Sequence, residues 1–381
     1  MKIIVAPDSF KGSNSAVNVC NLIEKGIRKV HKDAEIIKIP VADGGEGTVD
    51  ALATGTGGII VETIVTAPLG EKITAKYGLI GEGTAVIEMA AASGITLVSE
   101  VKRNPMVTTT YGTGELIKVA LDKGCTKIII GIGGSATNDG GLGMAQALGY
   151  SFKDKDGREL DFGGGELSKL AYIEASNADK RLMGCKITVA CDVSNPLCGA
   201  KGATAVYGPQ KGATREMVKI LDENLLHFAA KIKEHMKIDI KDTPGAGAAG
   251  GLGAGLMVFC GAKLKSGIET VLDAVAIDNH LSNTDLVITG EGKIDNQSAF
   301  GKVPVGVAAR AKKYNVPVLA IVGDIGEGAE IVYNYGIDGI MSTVNKAMPL
   351  SEAIGKSSEL LEESAERVMR IIKIGMSFAK V

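Results

Sequence analysis

The sequence predicts an α/β protein in which a doubly wound domain of parallel strands and helices is interrupted by a second, mixed α/β domain. Near both ends of the 381-residue chain, short β-branched runs that end in glycine and carboxylate residues are followed by helical periodicity. In the middle, strand-like runs adjoin one another through glycine and proline turns, which is typical of antiparallel sheet. We therefore predict a discontinuous domain at 1–60 and 265–381 and an inserted domain at 61–264, with a ligand cleft between them.

Composition narrows the class of protein. The chain is 45% hydrophobic, and its 51 glycines against 10 prolines indicate many shaped turns rather than disorder. Its 42 basic and 44 acidic residues nearly cancel and only 4% are aromatic, which argues against a nucleic-acid partner.

The six cysteines form no CxxC pair and the chain opens with a strand rather than a signal peptide, so we expect a cytoplasmic protein with free thiols. No apolar run reaches the ~18 residues of a membrane span, so we expect no membrane partner; monomer and homodimer stay open.

The first strand, at residues 2–6, ends in a loop with Asp8, Ser9 and Lys11. A helical pattern follows the loop. Because ligands of open α/β sheets bind at the carboxyl ends of the strands, these three residues are candidate site residues. The alternative is that a serine such as Ser15 caps the helix and that Lys11 is only solvated.

The second strand, at residues 35–40, repeats this arrangement. Its loop carries Asp43, Gly45 and Glu46 ahead of another helix. Two carboxylates among glycines suit a cation or a hydroxyl group better than a bare phosphate. The alternative is that Asp43 is the helix N-cap and Glu46 completes a capping box.

From about residue 59 to 89, three adjoining strand-like runs predict the antiparallel sheet, and a helix at 111–123 leads into a buried strand at 127–132. That strand opens into a glycine-rich turn, which we expect to end in a helix from Asp139 to Leu148. A strand, a glycine turn and a helix start together favour binding of an anion, with phosphate as the default ligand. The predicted contacts are Gly133, Gly134, Ser135 and Asn138.

Two other interpretations of this turn are open. The spacing of Gly131, Gly133 and Ala136 is a loose dinucleotide fingerprint, although Asp139 would then repel a pyrophosphate unless a cation lay between them. The turn could also be purely structural, with Asn138 or Asp139 capping the helix.

The strand at 186–190 is followed by Asp192 and Asn195. Farther on, ahead of a helix at 215–236, a second glycine-bearing turn offers a close backbone approach and one point charge for an oxyanion, at Gln210, Lys211 and Gly212. An ordinary turn before the helix is the alternative.

The βαβ rhythm returns near the end of the chain. A strand at 285–289 precedes a loop with Glu291 and Asp295, and another strand lies at 317–322. Helices are predicted at 303–314, 327–335 and 351–372.

The chemistry of these loops favours phosphoryl transfer. None of the four histidines lies in a glycine loop, so a histidine-dependent hydrolase or a zinc site has little support. Phosphoryl transfer needs carboxylates for Mg²⁺, cations for the phosphates and a carboxylate near the acceptor hydroxyl, all of which the loops carry. The P-loop signature is absent, since the lysine and serine near residue 11 lack the upstream glycine.

A series of motifs along essentially the whole chain resembles the type I glycerate kinases of bacteria: APDSFKGS, VADGGEGT, GIGGSATNDGG, CDVSNPLCG, GPQKGA and TGEGKID. The resemblance implies a flavodoxin-like domain with an inserted domain. It also implies transfer of the γ-phosphoryl group of ATP to a hydroxyl of (R)-glycerate, with Mg²⁺, to form 2-phosphoglycerate.

We expect Asp192 and Lys11 to be the catalytic residues, with Asp192 as general base and Lys11 paired with the substrate carboxylate. Glycerate is expected near Asp8, Ser9, Asp43, Gly45, Glu46 and Asn195. The phosphates of ATP are expected on Gly133, Gly134, Ser135, Asn138, Gln210, Lys211 and Gly212. Asp295 and Glu291 are the expected Mg²⁺ ligands.

Two rival functions are an NAD-dependent dehydrogenase of a small hydroxy acid, which would use the Gly131 fingerprint, and a non-catalytic sensor of organic anions.

Overall fold

The computed structural model describes residues 1–299 and 301–378. The strands in chain order are β1 (Lys2–Val5), β2 (Glu35–Lys38), β3 (Ile59–Thr66), β4 (Lys72–Ile80), β5 (Thr84–Glu88), β6 (Lys127–Gly131), β7 (Ser151–Lys153), β8 (Tyr172–Glu174), β9 (Lys186–Ala190), β10 (Lys263–Lys265), β11 (Leu286–Ile294), β12 (Val318–Ile325) and β13 (Gly339–Ser342).

The α-helices are α1 (Ala16–Arg28), α2 (Thr48–Thr56), α3 (Ala90–Ser93), α4 (Tyr111–Asp122), α5 (Leu142–Ala147), α6 (Ala203–Tyr207), α7 (Arg215–Met236), α8 (Leu252–Cys260), α9 (Gly267–Ala274), α10 (Asp278–Leu281), α11 (Val303–Lys312), α12 (Leu350–Gly355) and α13 (Ser357–Phe378). Short 3-10 helices lie at Ile95–Leu97, Glu100–Lys102, Gly164–Lys169, Lys180–Gly184, Pro209–Lys211, Ala248–Gly251, Asn296–Ala299 and Ala329–Tyr335. No helix in the described ranges combines the length and the apolar character needed to cross a bilayer.

The chain forms two compact units. Unit 1 comprises Met1–Asp43, Asp50–Gly58 and the described residues from Ile268 onward, whereas unit 2 comprises Gly44–Val49 and Ile59–Gly267. The sequence-based boundaries, at 60/61 and 264/265, differ from these by a few residues. They also did not separate the segment Gly44–Val49, which is too short to carry a periodic signal of its own.

Unit 1 contains a five-stranded parallel sheet in the order β13-β12-β11-β1-β2. Counted along this unit alone, the order is 2-1-3-4-5, which is the flavodoxin-like arrangement. Buried β-branched residues of β1 and β11, including Ile3, Val5 and Ile288, form the core with α1 and α13. Helices α1 and α13 pack closely because Gly26 has no side chain: a Cβ there would lie 2.3 Å from the carbonyl oxygen of Glu362.

Unit 2 contains a mixed six-stranded sheet in the order β10-β9-β6-β5-β4-β3. Strands β3, β4 and β5 pair antiparallel, as the sequence predicts, and β5, β6, β9 and β10 pair parallel. A small antiparallel pair, β7 with β8, lies outside this sheet. The predicted α/β class is confirmed, with parallel strands in both units and antiparallel strands in unit 2.

Several boundaries differ from the prediction. Strand β11 continues to Ile294, so Glu291 lies within a strand and not in a loop. The helix predicted from Asp139 begins only at Leu142, because Gly140 and Gly141 both adopt positive φ angles. The helix predicted at 351–372 consists of two helices, α12 and α13.

Candidate active site

Unit 1 has a cavity of about 1130 Å³ at the carboxyl edge of its sheet. The strand order reverses between β1 and β11, and in open α/β sheets this switch point is where ligands bind. The cavity brings together five predicted site residues, which are Asp8, Ser9, Lys11, Asp43 and Glu291, and several unpredicted ones. Its charged lining consists of Asp8, Lys11, Asp43, Glu291, Lys293, Lys302, Asp324 and Lys346.

Glycines allow the chain segments to meet at this edge. The N–H of Asp8 donates to the carbonyl oxygen of Gly290 at 2.8 Å, which holds the end of β1 against β11. A Cβ on Gly290 would lie 2.1 Å from the carbonyl oxygen of Ile321, and one on Gly323 would lie 2.4 Å from that of Gly292. A residue with a side chain at either position would therefore clash with the backbone of the neighbouring strand.

Asp8 and Glu291 are carboxyl groups that the fold largely removes from water. Burial, with the neighbouring Asp43 adding to it, raises the pKa of Asp8 to about 6. Burial, with Asp8 and Asp295 adding to it, raises the pKa of Glu291 to about 7. Several carboxylates therefore oppose one another's ionisation in one cavity, which is an environment that a divalent cation would relieve.

Neighbouring polar groups fix the orientation of these carboxylates. The N–H of Ser9 donates to Asp8 Oδ1 at 2.6 Å, and the Ser298 hydroxyl donates to Glu291 Oε1 at 2.8 Å. Lys302 Nζ lies 3.7 Å from Glu291 Oε2 and 3.8 Å from Asp295 Oδ1. Asp295 is thus linked to Glu291 through Lys302, although it does not line the cavity itself.

In unit 2, the segment Gly44–Gly45 packs against the ends of two neighbouring parallel strands. Gly131 at the end of β6 is in register with Ala190 at the end of β9. A Cβ on Gly131 would lie 2.2 Å from the Gly44 carbonyl oxygen, and one on Gly133 would lie 3.4 Å from Gly45 Cα. Of the predicted residues in this part of the chain, Gly45 and Gly133 are therefore neighbours. Glu46, Gly133 and Gly134 are at least partly exposed.

We expect Gly44→Ala to destabilise the protein by about 2 kcal/mol or more, because the new methyl group would lie 2.5 Å from Ala190 Cβ. Gly47→Ala is a matched control: Gly47 has φ +89° against +90° at Gly44, but nothing lies within 4 Å of its Cβ position. Both variants carry the same backbone strain. Urea denaturation should thus show a larger loss for Gly44→Ala, and equal losses would contradict close packing at Gly44.

The turn that follows β6 is held from inside by Lys211. This lysine is 2% exposed, and its Nζ donates to Ser135 Oγ at 2.6 Å and to the Thr137 carbonyl oxygen at 2.7 Å. Burial lowers the pKa of Lys211 to about 7, against the opposing attraction of Asp139. Lys211 therefore braces the turn, and its predicted contact with phosphate stays a prediction.

Asn138 and Asp139 are also interior residues. Each is fully buried, and the Asn138 amide donates to Thr204 Oγ1 at 2.9 Å. Asp139 accepts from the N–H and hydroxyl of Thr110 at 2.9 and 2.8 Å and from two glycine N–H groups. Asn138 and Asp139 therefore both organise the turn from inside, and the predicted contact between Asn138 and a nucleotide stays a prediction.

The loop after β9 carries Asp192 and Asn195. Asp192 is exposed, and its Oδ1 accepts the N–H of Gly267 at 3.0 Å. Asn195 is engaged at both ends of its amide: it donates to the Lys201 carbonyl oxygen at 2.8 Å and accepts from the Tyr207 hydroxyl at 2.8 Å. Asn195 therefore shapes its own loop, and its predicted role in binding substrate stays a prediction.

The remaining residues of the second predicted phosphate turn, Gln210 and Gly212, are exposed. Gly212 has φ +92°, and a Cβ there would lie 2.3 Å from the carbonyl oxygen of Arg103, so glycine is required at this position for packing alone.

Sequence reasoning did not find the wall of the unit 1 cavity that is built by the end of β12, the end of β13 and α12. This wall includes Ile325, Val344, Leu350 and Ile354. Three of these side chains are large, apolar and exposed, at 48%, 73% and 41% for Ile325, Leu350 and Ile354. Strand β13 and α12 are short and carry no glycine motif. A sequence signal that could have indicated this wall is the spacing of Leu350 and Ile354, because residues four apart lie on the same face of a helix.

Comparison with known proteins identifies the family of this chain. The model of the glycerate kinase family matches residues 3–373. The chain is 54% identical to the glycerate kinase of Bacillus subtilis (strain 168), over 98% of each chain, and 52% identical to the glycerate 2-kinase of Escherichia coli (strain K12), over 99% of each. A crystal structure of a protein assigned as glycerate kinase 2 from Salmonella typhimurium LT2 superimposes with a TM-score of 0.91, at 50% identity and 99% coverage of both chains. The chain belongs to the glycerate kinase family.

Proposed function

We propose that this protein transfers the γ-phosphoryl group of ATP to the 2-hydroxyl group of (R)-glycerate and so forms 2-phosphoglycerate. The observation that carries the proposal is the similarity, at 52% identity and over 99% of both chains, to a glycerate 2-kinase. An assay of ADP release with both enantiomers of glycerate and several other hydroxy acids tests it. Phosphorus NMR of the product identifies the phosphorylated carbon, and release of ADP without a phosphorylated acid would contradict the proposal.

The structure disfavours the dehydrogenase alternative. A dinucleotide fingerprint places its glycines directly at the start of a helix, where the helix dipole meets the pyrophosphate. Here ten residues separate Gly131 at the end of β6 from Leu142 at the start of α5, and α5 has only six residues. Family membership likewise favours a phosphotransferase over a dehydrogenase or a non-catalytic sensor.

We further propose that Mg²⁺ is the cofactor and that Glu291 holds it, with Asp295 acting through water. Among the described residues, no group of three or more histidine, cysteine or carboxylate side chains is arranged to hold a metal ion. Mg²⁺ commonly uses only one or two carboxylates, together with water and phosphate oxygens. The mutual repulsion of Asp8, Asp43 and Glu291 supports a cation at this place. When bound, Mg²⁺ would neutralise phosphate charge there.

Glu291→Gln is expected to raise the Mg²⁺ concentration for half-maximal activity by about tenfold or more, because an amide oxygen binds a hard cation more weakly than a carboxylate does. The matched control is Glu359→Gln on α13, where the glutamate is exposed. Titration of activity with free Mg²⁺ at saturating ATP, supported by Mn²⁺ binding followed by electron paramagnetic resonance, measures the effect. An unchanged Mg²⁺ requirement would remove Glu291 from the ligand set.

Lys11→Ala is expected to raise the KM for glycerate by about tenfold or more and to change the KM for ATP much less, because a charged hydrogen bond to the substrate carboxylate is lost. The side chain of Lys11 is exposed and lines the unit 1 cavity. Lys25→Ala, which removes an exposed lysine from α1, is the control. Steady-state kinetics with each substrate varied in turn provides the measurement, and a change confined to the KM for ATP would be evidence against the assignment.

A further inference from the structure

The cavity of unit 1 has two chemically different ends. It extends along the sheet edge from β1 past β11 and β12 to β13, which is three interstrand spacings or about 14 Å. The end at β1 and β11 is lined by charged groups, which include Asp8, Lys11 and Glu291. The end at β13 and α12 is lined by the apolar side chains of Ile325, Val344, Met348, Leu350 and Ile354.

The cavity is larger than a three-carbon hydroxy acid such as glycerate needs. Pockets that bind drug-sized ligands measure roughly 300–1,000 Å³, and this cavity has about 1130 Å³. A three-carbon hydroxy acid is small and polar at every carbon, so it can occupy only the charged end. It offers no surface that would bury Ile325, Leu350 or Ile354.

The exposed apolar side chains that share this wall favour an occupant with an apolar surface. Leu350 is 73% exposed, so covering it with an apolar surface removes a large apolar area from water, which is favourable. In this reaction ATP is the one reactant with an apolar, aromatic part, and that part is joined to a chain of phosphates. Lys293 and Lys302 line the same cavity and offer positive charge for those phosphates.

We propose that the apolar wall formed by Ile325, Val344, Leu350 and Ile354 binds the purine base of ATP. This inference rests on the proposed function for the presence of ATP, and it assigns the base to unit 1, whereas sequence reasoning placed the nucleotide on the glycine loops of unit 2. The charged end of the cavity then receives the phosphates.

The test introduces a carboxylate into the apolar wall. Ile354→Asp should weaken binding of MgADP, followed by isothermal titration calorimetry, by about tenfold or more, because a charge faces the base. The KM for ATP should rise by a similar factor, whereas the KM for glycerate should stay within about twofold. Ile371→Asp is the matched control, since Ile371 is 59% exposed on α13 of the same unit but does not line the cavity.

A second measurement avoids substitution. Photolabelling of the unmodified protein with 2-azido-ATP, followed by peptide mapping, should place the label within residues 325–354, and excess ATP should abolish it. Label confined to unit 2 would overturn the inference, as would MgADP affinity within twofold of the wild type in Ile354→Asp. If Ile354→Asp instead altered only self-association in solution, the wall would bind a second copy and the inference would fail.

The outcomes are separable from those of the proposed function. If the unmodified protein releases no ADP with any hydroxy acid, the proposed reaction fails whatever the photolabel shows. The protein could instead phosphorylate glycerate while the photolabel lies outside residues 325–354 and Ile354→Asp keeps its affinity for MgADP. In that case the proposed reaction stands and only the assignment of the base fails.

Discussion

Asp192→Asn is expected to lower kcat with ATP and glycerate by about two orders of magnitude or more. We propose Asp192 as the general base, and an amide cannot take the proton of the accepting hydroxyl group. The asparagine can still accept the N–H of Gly267, which lies 3.0 Å from Asp192 Oδ1 in the wild type, so the loop after β9 should keep its conformation. The measurement is single-turnover and steady-state phosphorylation of glycerate.

The control for this variant is Asp222→Asn. Asp222 also accepts a backbone N–H, that of Gly199 at 2.9 Å, and belongs to the same unit, so its replacement makes the same chemical change elsewhere. Near-full kcat in Asp192→Asn would refute the assignment. Asp8 would then become the stronger candidate, because its pKa of about 6 is close to neutral pH, where a general base works best.

Lys211→Met is expected to lower the free energy of unfolding by about 2 kcal/mol at pH 7, because Ser135 Oγ and the Thr137 carbonyl oxygen lose a buried donor. The loss should widen as pH rises. Burial lowers the pKa of Lys211 from 10.5 to about 7, so between these values the unfolded chain holds a proton that the folded protein has released. Over that range, this group makes the wild type more stable with increasing pH, by up to about 1.4 kcal/mol per pH unit, and methionine removes the effect.

Urea denaturation of both proteins between pH 7 and 9.5 measures this difference. Lys219→Met on α7 is the control, since Lys219 is exposed and its replacement should leave the pH dependence unchanged. Parallel stability curves for the wild type and Lys211→Met would show that Lys211 is not a buried titrating group.

The motifs and the strands could be predicted from the sequence because each depends on residues that are neighbours in the chain. The runs predicted at 2–6 and 127–132 contain β1 (Lys2–Val5) and β6 (Lys127–Gly131). The antiparallel strands β3 to β5 pair as expected, and α7 has the predicted bounds Arg215–Met236. Alternation, glycine turns and helical periodicity are local signals. The same local signals placed Asp8 and Lys11 after the end of a strand. They wrongly placed Glu291 after the end of another strand, since it lies within β11, but the fold brings all three to one cavity.

The burial of polar side chains in the turns could not be predicted from local sequence patterns. Lys211, Asn138 and Asp139 stand in glycine-rich turns, where polar side chains usually face ligand or solvent, yet each is enclosed by segments distant in the chain. Lys211 reaches Ser135 across 76 positions of sequence, and Asn138 reaches Thr204 across 66. Such contacts depend on how the strands and helices pack, which no spacing of residues within one motif encodes.

The sequence by itself determined the α/β class, the family and the set of polar residues at the strand ends, because these follow from composition, periodicity and motifs that are continuous in the chain. Only the tertiary structure decided which of those residues line the cavity of unit 1 and which are buried inside the turns of unit 2. It alone joined β12, β13 and α12 into an apolar wall beside the charged residues of β1 and β11. The physical reason is that exposure, pKa and cavity shape are set by atoms from segments far apart in sequence, and these atoms meet only when the sheet has formed.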